Sequence, residues 1–475
     1  DFCLSRGLGD VYKRQEKGYT IVPFDETADI YIVNTCTVTN IADRKSRQML
    51  HRAKQKNPAA LVVAVGCYVQ TGREDVEQDP CIDLAIGNNR KKDLASILEE
   101  YLQDLEQEDA VAENAENAGH GVDKTLHDTT VIDINHTAEY EEMTLKQTAE
   151  HTRAYIKIQD GCNQFCSYCV IPYARGRVRS RRAEDIIREI TGMAQNGYRE
   201  IVLTGIHISS YGIDFDEEAW KRGESVSVLK EDEERRDYSG SSKLIDLLER
   251  IHTIEGIERI RIGSLEPRII TEETAARMAA LPKLCPHFHL SLQSGCDATL
   301  RRMNRKYTSE EYAESVALLR KVFDHPAITT DVIVGFPGET EEEFAQTVGF
   351  LDRIQFFEMH IFKYSKRAGT RAAVMSHQVP DPVKTTRSAE LLAMEKEQSK
   401  QFRTHYVGRE AEVLLEETKE IGGTEYLLGH TRDYVKLAVS VKENKKNVAN
   451  TVICGRVQGF LTDEILLLSP LEFSK

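Results

Sequence analysis

The chain has 475 residues, a hydrophobic content of 40% and a formal net charge of −15, values that suit a folded protein of roughly three domains. No apolar run approaches the ~18 residues of a membrane span, and the amino terminus lacks the apolar segment of a secretion signal. The ten cysteines do not read as a disulfide framework, so we expect a protein of the cytoplasm with no membrane partner.

The first region, residues 1–103, is predicted to form a parallel α/β sheet of flavodoxin-like type. Its apolar segments are continuous rather than alternating, which is typical of strands buried on both faces. Helical stretches lie between them, as parallel strands require. The predicted strands are 29–36, 61–67 and 82–87, and the predicted helices are 41–55 and 90–103.

Cys36 and Cys67 stand directly after the first two of these strands. In open α/β sheets, ligands bind at the edge formed by the carboxyl ends of the strands. The alternative is that both cysteines merely fill the core, but core cysteines would lie inside the apolar runs rather than one step beyond them. We therefore predict that Cys36 and Cys67 ligate a metal centre.

The negative charge is concentrated in two segments. Residues 101–150 hold 13 acidic residues against two lysines, and residues 214–237 hold 10 acidic residues against five basic ones. Segments that are rich in charge and poor in apolar periodicity are typically solvated and poorly folded. We predict a linker at 104–150 and an acidic surface insertion at 208–241.

Three cysteines follow a predicted strand at 153–161 with the spacing C-x3-C-x2-C, namely Cys162, Cys166 and Cys169. An iron–sulfur cube has four irons, so three thiolates leave one iron with the open coordination position that a catalytic site needs. Zinc is the alternative, but structural zinc takes four N/S ligands, and no second Cys or His pair lies nearby. The spacing therefore favours an iron–sulfur cluster.

Residues 151–403 are predicted to fold as a (β/α)6 partial barrel, an incomplete relative of the eight-fold barrel. Strand candidates alternate with helical stretches, and the loops at the carboxyl ends of the strands would build the active site. After 153–161, the strands are predicted at 200–204, 258–263, 287–292, 328–334 and 357–364, and the helices at 183–196, 242–253, 272–281, 308–323 and 340–354.

Five arginines lie within residues 173–182, just past the cysteine loop. Outside the two acidic segments the chain is nearly neutral, so this cluster of positive charge could bind a phosphate backbone. The alternative is an arginine-rich solvated loop. Their position beside the cysteines favours a role in substrate binding. The candidate RNA contacts are Arg175, Arg177, Arg179 and Arg181.

The last part of the chain, residues 404–470, is predicted to be a small β-barrel that follows a helix at 384–404. Short apolar strands at 410–416, 434–439 and 460–468 are separated by turns that contain glycine. Its eight basic and ten acidic residues do not by themselves mark it as RNA-binding.

These motifs together resemble the methylthiotransferase branch of the radical S-adenosylmethionine (SAM) superfamily. The greatest similarity is to the tRNA enzymes that methylthiolate N6-threonylcarbamoyladenosine beside the anticodon. The resemblance covers most of the chain from about residue 18 onward. The matching stretches are 34–39, 66–67, 158–182, 203–207, 261–267, 291–295, 302–307 and 331–340.

The resemblance implies an amino-terminal domain with an auxiliary [4Fe–4S] cluster, a radical SAM barrel and a carboxyl-terminal TRAM domain for tRNA. Cys162, Cys166 and Cys169 would bind the SAM-cleaving [4Fe–4S] cluster. Cys36 and Cys67 would be ligands of the auxiliary cluster. The implied reaction uses two SAM molecules and places a methylthio group on C2 of threonylcarbamoyladenosine at tRNA position 37.

The resemblance also implies partners and further contacts. The partners are the tRNA anticodon stem-loop and an electron donor such as a flavodoxin or ferredoxin, with the sulfur donor left open. His207 ends the second barrel strand and is a candidate contact for substrate or SAM, although a lone histidine is more often structural. The candidate SAM contacts are Tyr168, Gln293, Ser294, Gly335 and Gly338, and the cysteines predicted to be ordinary thiols are Cys81, Cys285, Cys296 and Cys454.

One part of the chain departs from the family's pattern. The auxiliary cluster of the family uses three cysteines, and the first normally stands about one strand and one helix ahead of Asp29. Residues 1–15 do not match that part of the family. We interpret them as foreign sequence before a truncated start, which makes Cys3 a doubtful ligand.

Several alternatives stay open at the level of the sequence. Within the family, the substrate could be isopentenyladenosine in tRNA or an aspartate of a ribosomal protein. From another class, the chain could be a non-catalytic RNA-binding protein stabilised by a metal. A pure iron–sulfur electron carrier ranks last, because it needs neither a six-stranded barrel nor an arginine-rich loop.

Overall fold

The structure is a computed structural model that describes residues 19–20, 22–114, 131–137, 139–142, 152–225, 242–441 and 449–471. The interpretation of residues 1–15, including Cys3, lies outside the described residues. Among the described helices, none is long and apolar enough to cross a membrane.

A three-stranded parallel sheet forms the amino-terminal part, as predicted, with the order β1-β2-β3. All six residues of the central strand are buried, because helices cover both faces of the sheet. The strands are β1 (Ile30–Thr35), β2 (Leu61–Gly66) and β3 (Leu84–Ile86), and the helices are α1 (Asn40–Lys56), α2 (Cys67–Thr71), α3 (Arg73–Glu77) and α4 (Leu94–Asn114).

Part of the predicted acidic linker is folded. Helix α4 continues to Asn114, well beyond its predicted end. The described part of 131–142 packs against its neighbours, since Ile134 is buried and the Tyr140 hydroxyl donates to the carbonyl of Lys157 at 3.1 Å. The prediction of a solvated linker is therefore wrong for these residues, because a short apolar stretch is hidden in an acidic composition.

Six parallel strands form the partial barrel, in the predicted (β/α)6 arrangement. A sheet of order β5-β4-β6-β7 and a sheet of order β10-β9-β8 are joined by the single bridges Ile260–Leu284 and Leu265–Leu290. The short antiparallel strand β5 was not predicted. The strands are β4 (Arg153–Asp160), β5 (Arg179–Ser180), β6 (Glu200–Gly205), β7 (Arg259–Ile262), β8 (His287–His289), β9 (Ala327–Val334) and β10 (Glu358–Lys363).

The helices of the barrel pack against the outer faces of these strands and bury one large apolar core. Three of them, α9, α11 and α12, begin with a threonine in a reciprocal capping box, which defines where each helix starts. The helices are α5 (Ile171–Arg175), α6 (Ala183–Gln195), α7 (Glu217–Lys221), α8 (Ser242–His252), α9 (Glu272–Ala279), α10 (Asp297–Arg302), α11 (Ser309–Val322), α12 (Glu341–Ile354) and α13 (Asp381–Thr404).

The predicted surface insertion at 208–241 is partly a core segment. Ile208, Tyr211 and Phe215 are fully buried in the barrel core, and the Tyr211 hydroxyl donates to the carbonyl of Arg181 at 2.9 Å. Most of the acidic charge that suggested a surface excursion follows these apolar side chains. The prediction is therefore wrong for the first part of the segment, and residues 226–241 lie outside the described residues.

The carboxyl-terminal part is a closed five-stranded barrel of order β11-β12-β13-β15-β14, as the prediction of a small β-barrel required. The predicted single strand at 460–468 is wrong, because a turn in which Leu461 N–H donates to the carbonyl of Ile465 divides it. The strands are β11 (Glu410–Ile421), β12 (Thr424–His430), β13 (Lys436–Ser440), β14 (Val452–Phe460) and β15 (Leu466–Pro470).

This small barrel docks on the amino-terminal face of the partial barrel. Arg259 Nη2 lies 2.6 Å from Glu412 Oε1, and the Tyr434 ring lies under the guanidinium groups of Arg153 and Arg261, 5.0 and 4.6 Å from the ring centroid. Contacts at that face of a barrel serve stability, whereas the opposite face carries the active site. The carboxyl ends of the strands therefore remain for chemistry.

Candidate functional site

The three-cysteine loop begins where β4 ends, at the carboxyl-terminal face of the partial barrel. Gly161 has a φ of +73°, and a Cβ there would lie 1.8 Å from the carbonyl oxygen of Arg177, so only glycine fits. The Cys162 amide donates to the carbonyl of Gly176 at 3.0 Å, and the Cys169 amide donates to the carbonyl of Cys166 at 2.9 Å. The loop is thus folded by its own backbone, with three half-buried thiols.

A segment after α10 holds the loop from the other side. The Ser167 amide donates to the carbonyl of Met303 at 2.9 Å. The Asn304 side-chain amide donates to the carbonyl of Phe165 at 3.0 Å and to that of Gln164 at 3.3 Å. Phe165 has a φ of +47°, a strained value for a residue with a Cβ. These contacts fix the loop between β4 and α10.

Arg305 is a site residue that the sequence prediction did not single out. Its Nη1 lies 3.4 Å from the Cys166 sulfur, and its Nε donates to the Tyr307 hydroxyl at 2.9 Å. That hydroxyl donates in turn to the carbonyl of Leu292 at 2.9 Å. The guanidinium places positive charge beside the Cys166 sulfur. The sequence offered one indication of Arg305, because this residue lies in the stretch 302–307 that matches the family.

The three thiols of this loop suit a cluster of several metal ions better than a single metal ion. Burial, with the neighbouring Cys166, raises the pKa of Cys162 and raises that of Cys169 to about 12, so both need strong positive charge to become thiolates. Three thiolates on one zinc would lie about 3.8 Å apart, given Zn–S bonds of about 2.3 Å. Among the described residues, these cysteines form no group whose ligand atoms all lie within 4.8 Å. The donor set fits an iron–sulfur cube better than a single zinc.

His207 lies in a polar network at the same face. Its amide donates to Gln159 Oε1 at 2.8 Å, and its Nε2 lies 3.4 Å from Glu266 Oε2. Gln164 Nε2, in the cysteine loop, donates to the same carboxylate oxygen at 3.2 Å. The network connects the loops after β4, β6 and β7, so it places His207 beside the cysteine loop. Its contact with substrate stays a prediction.

Cys36 and Cys67 lie at one edge of the amino-terminal sheet. They follow β1 and β2, whose last residues, Thr35 and Gly66, are register partners in adjacent parallel strands. Cys67 is buried, and Asn88 Nδ2 lies 3.5 Å from its sulfur. Both cysteines thus stand directly past the carboxyl ends of neighbouring strands, as the sequence predicted.

Arg175 joins the two groups of cysteines. Its Nη1 lies 3.5 Å from Asp160 Oδ2, at the start of the cysteine loop, and its guanidinium also contacts the Cys67 thiol. Asn88 Nδ2 donates to the carbonyl of Ala174 at 2.6 Å, one residue earlier. Arg175, the last residue of helix α5, therefore contacts residues of both candidate cluster sites.

The prediction that four arginines contact RNA is wrong for three of them. Arg175 makes the internal contacts just described. Arg179 is 2% exposed, and Arg181 is 3% exposed and paired with Glu189. Arg177 alone of the four is exposed, with its guanidinium 4.7 Å from the ring centroid of Phe165. Local sequence could not separate them, because burial is decided by the neighbouring strands.

Ser294 and Gln293, two candidate SAM contacts, differ in their surroundings. The prediction that Ser294 meets a ligand is not supported, since its hydroxyl is buried 3.2 Å from Thr347 Oγ1 on α12. Strand β8 ends at His289, so Gln293 lies in the following loop, with a φ of +70°. Such strain in a residue with a Cβ is frequent at functional sites. Gln293 remains a predicted contact.

The two glycines and Tyr168 have packing roles in the structure. Gly335 and Gly338 have φ values of +71° and +78°, and a Cβ on Gly335 would lie 2.3 Å from Lys384 Cγ. Close approach of α13 therefore explains Gly335 without a cofactor. The Tyr168 ring packs edge-on against Phe336 at 6.4 Å between centroids. Their contact with SAM stays a prediction.

Among the described residues, three of the four remaining cysteines belong to no group of possible metal ligands. Cys285 and Cys296 are buried and Cys454 is half-buried. Cys81 is an exception to the prediction of isolated thiols. It stands near Asp79 and His51, with the ligand atoms of all three residues within 4.8 Å of one another.

A partial (β/α)6 barrel with a C-x3-C-x2-C loop after its first strand defines a radical SAM enzyme, and comparison with known proteins agrees. The radical SAM superfamily model matches residues 156–351, and a model described as Uncharacterized protein family UPF0004 matches residues 11–87. Cys36 and Cys67 lie within the second match, and Cys162, Cys166 and Cys169 lie within the first.

Relatives of known name match nearly the whole chain. Threonylcarbamoyladenosine tRNA methylthiotransferase MtaB of Bacillus subtilis is 36% identical over 431 residues, 90% of this chain and 86% of its own length. The MtaB of Aquifex aeolicus is 37% identical, over 87% of this chain and 90% of its own length. A tRNA-2-methylthio-N(6)-dimethylallyladenosine synthase of Desulfitobacterium hafniense is 33% identical, over 88% and 85%. The chain belongs to the radical SAM tRNA methylthiotransferase family, whose cofactors are [4Fe–4S] clusters and SAM.

Proposed function

We propose that this methylthiotransferase acts on N6-threonylcarbamoyladenosine at tRNA position 37 and converts it into the 2-methylthio derivative, using two SAM molecules. The observation that carries the proposal is the identity of 36–37% to two proteins named for that nucleoside. Relatives named for dimethylallyladenosine match at 33–35%. The stretches 159–161 and 204–207 also resemble the threonylcarbamoyl type.

In this proposal, Cys162, Cys166 and Cys169 hold the SAM-cleaving cluster. The bound cluster and SAM supply the radical that removes the hydrogen from C2 of the adenine, a bond that side-chain acids and bases cannot break. Arg305 orients Cys166 through its 3.4 Å contact and adds positive charge beside the thiolate. Asn304 and Ser167 keep the loop in place.

Cys36 and Cys67 contribute to the auxiliary cluster in the same proposal. Asn88 and Arg175 hold the Cys67 sulfur, as hydrogen-bond donors commonly do around iron–sulfur ligands. Because Arg175 also reaches Asp160, the sulfur-delivering site and the radical-forming site are kept at a fixed separation. A third ligand would come from outside the described residues.

The RNA partner is proposed to be the anticodon stem-loop, with the small carboxyl-terminal barrel acting as a TRAM-like RNA-binding domain. Arg177 is exposed beside the cysteine loop, where a phosphate of the stem-loop would approach. A flavodoxin or ferredoxin in the cytoplasm would supply electrons.

The test is nucleoside analysis in cells. The chain is expressed in a bacterial strain that lacks its own methylthiotransferase for threonylcarbamoyladenosine, and tRNA digests are measured by mass spectrometry. We expect the 2-methylthio form of threonylcarbamoyladenosine to appear with the unchanged chain and to be absent with Cys166→Ala. Appearance of 2-methylthio-isopentenyladenosine alone would overturn the substrate assignment.

A further inference from the structure

Three side chains without a role in the proposed reaction converge in the partial barrel: His289, Asp331 and His360. They come from the neighbouring strands β8, β9 and β10, and Asp331 and His360 are register partners. The ligand atoms of the three residues all lie within 4.8 Å of one another. We propose that they bind a divalent transition-metal cation, with Zn²⁺ as the representative ion.

The strand pattern directs all three side chains into the lumen. Phe288 and Met359 belong to the apolar core between strands and helices, as does Val332. Successive side chains of a strand point to opposite faces, so the residues next to these point inward. His289, Asp331 and His360 therefore form one row across three strands on the concave side.

The donor set suits such a cation. Two imidazoles and one carboxylate are ligands that zinc and other first-row divalent metals take, and three protein ligands leave a position for water or another oxygen ligand. His289 Nε2 lies 3.3 Å from Asp331 Oδ2, and the two histidine rings are stacked at 5.8 Å. A divalent cation would replace this contact between His289 and Asp331 by one bond from the metal to each residue.

A contact with Thr329 fixes the orientation of the His289 ring. Its Nδ1 lies 3.1 Å from the hydroxyl of Thr329, which occupies the register position beside it on β9. Metal-ligating histidines usually bond a second group through the nitrogen that does not bind the metal. Thr329 would do this here, and it leaves Nε2 directed towards Asp331.

The surroundings do not repel a cation. His360 also lines a cavity of about 490 Å³ between β10, α13 and the turn before β15. Its wall holds more acidic than basic side chains, which favours cations: Glu358, Glu395, Asp463 and Glu464 against Lys396 and Arg403. Deeper in the barrel, Arg153, Arg259 and Arg261 are balanced by the carboxylates of Glu200, Glu412 and Glu416.

The experiment measures metal content without SAM or tRNA, so its outcome does not depend on the proposed function. The full chain with reconstituted clusters is incubated anaerobically with one equivalent of Zn²⁺, desalted and analysed for zinc and iron per chain. We expect about one zinc per chain, at least a fivefold loss in His289→Ala and Asp331→Asn, and unchanged iron.

Two controls separate this site from others. His287→Ala changes a histidine of the same strand and the same lumen face, two residues earlier, and should retain zinc. His51→Ala tests the second group, which contains Asp79 and Cys81, and should also retain zinc. Equal zinc in the unchanged chain and in Asp331→Asn would overturn the proposal, as would loss only in His51→Ala.

X-ray absorption at the zinc edge of the unchanged chain guards against variants that fail to fold. We expect a first shell of nitrogen and oxygen at about 2.0–2.2 Å, with imidazole scattering from two rings. A shell containing sulfur at about 2.3 Å would place the ion on cysteines and contradict the assignment. Absence of bound zinc in the unchanged chain would also overturn it.

Discussion

Arg367, in the segment after β10, donates a hydrogen bond from Nη2 to the hydroxyl of Thr37, the residue that follows Cys36. Its Nη1 also lies 2.6 Å from Asp43 Oδ2 and 2.7 Å from Asn40 Oδ1. One side chain of the partial barrel thus holds the loop that carries a candidate ligand of the auxiliary cluster. The joint is buried, since Arg367 is 7% exposed.

We predict that Arg367→Met destabilises this joint by about 3 kcal/mol, because it leaves the Asp43 carboxylate without its buried partner. Hydrogen exchange of residues 36–56 should become faster, while exchange in the carboxyl-terminal barrel should not change. The matched control is Arg371→Met, which alters an exposed arginine four residues later. Unchanged exchange in 36–56 would show that Arg367 does not hold the loop.

Gly161→Ala should prevent cluster assembly. A Cβ at this position would meet the Arg177 carbonyl at 1.8 Å, and the φ of +73° adds strain of about 1–3 kcal/mol. We expect the iron and acid-labile sulfide per chain to fall by about half, as the SAM-cleaving cluster is lost. Gly197→Ala is the control, since it has a φ of +87° but no atom within 4 Å of the added Cβ. It should retain its iron.

Arg177→Gln should weaken tRNA binding without unfolding the chain. The loss of one phosphate contact reduces affinity by about fivefold and lowers the slope of log affinity against log salt by about 1. Fluorescence anisotropy at several salt concentrations measures both. Arg188→Gln is the control, because this arginine on α6 is 75% exposed and lies away from the cysteine loop. Equal losses in both variants would refute a specific role for Arg177.

Glu200 should make stability depend on pH in acid. Burial alone would raise its pKa, but Arg261, Arg153 and Arg259 lower it to about 2. The folded-state pKa is thus below the unfolded value of about 4.5, so the carboxylate stabilises the fold above pH 4.5. This contribution, about 3 kcal/mol, is lost as the pH falls from 4.5 towards 2.

The measurement is the denaturant midpoint between pH 7 and pH 3. Glu200→Gln should lower the midpoint at pH 7 and flatten its decline below pH 4.5, because the titrating group is gone. Glu273→Gln, which changes an exposed glutamate on α9, should leave the profile as it is. A profile of Glu200→Gln as steep as that of the unchanged chain would contradict this account.

Apolar continuity and residue spacing were enough to predict most strands of both α/β units, because a buried parallel strand needs a run of apolar residues whatever its neighbours are. The same logic failed for 208–215 and for the described part of 131–142. In both, a few apolar side chains stand beside acidic ones, and average composition hid them. Strand β5 was missed because two residues carry no periodic pattern.

The residues of the candidate site were likewise predicted only in part from the sequence. The candidate ligand cysteines Cys162, Cys166 and Cys169 could be singled out because metal ligation within one loop requires a fixed spacing. Arg305 was not singled out, because it lies 139 residues from the sulfur it contacts. Asn88 stands 21 residues from Cys67, a distance at which no spacing rule applies. Arg175, Arg179 and Arg181 look alike in sequence, and only packing showed that they are internal.

The sequence by itself determined the fold class, the three-cysteine loop and the two cysteines at the sheet edge, since these follow from periodicity and spacing within single segments. The tertiary structure alone decided which charges are buried, which residues support the sulfurs, and that His289, Asp331 and His360 meet. The reason is physical: burial and close contact are set by segments that are distant along the chain, and no local pattern encodes their meeting.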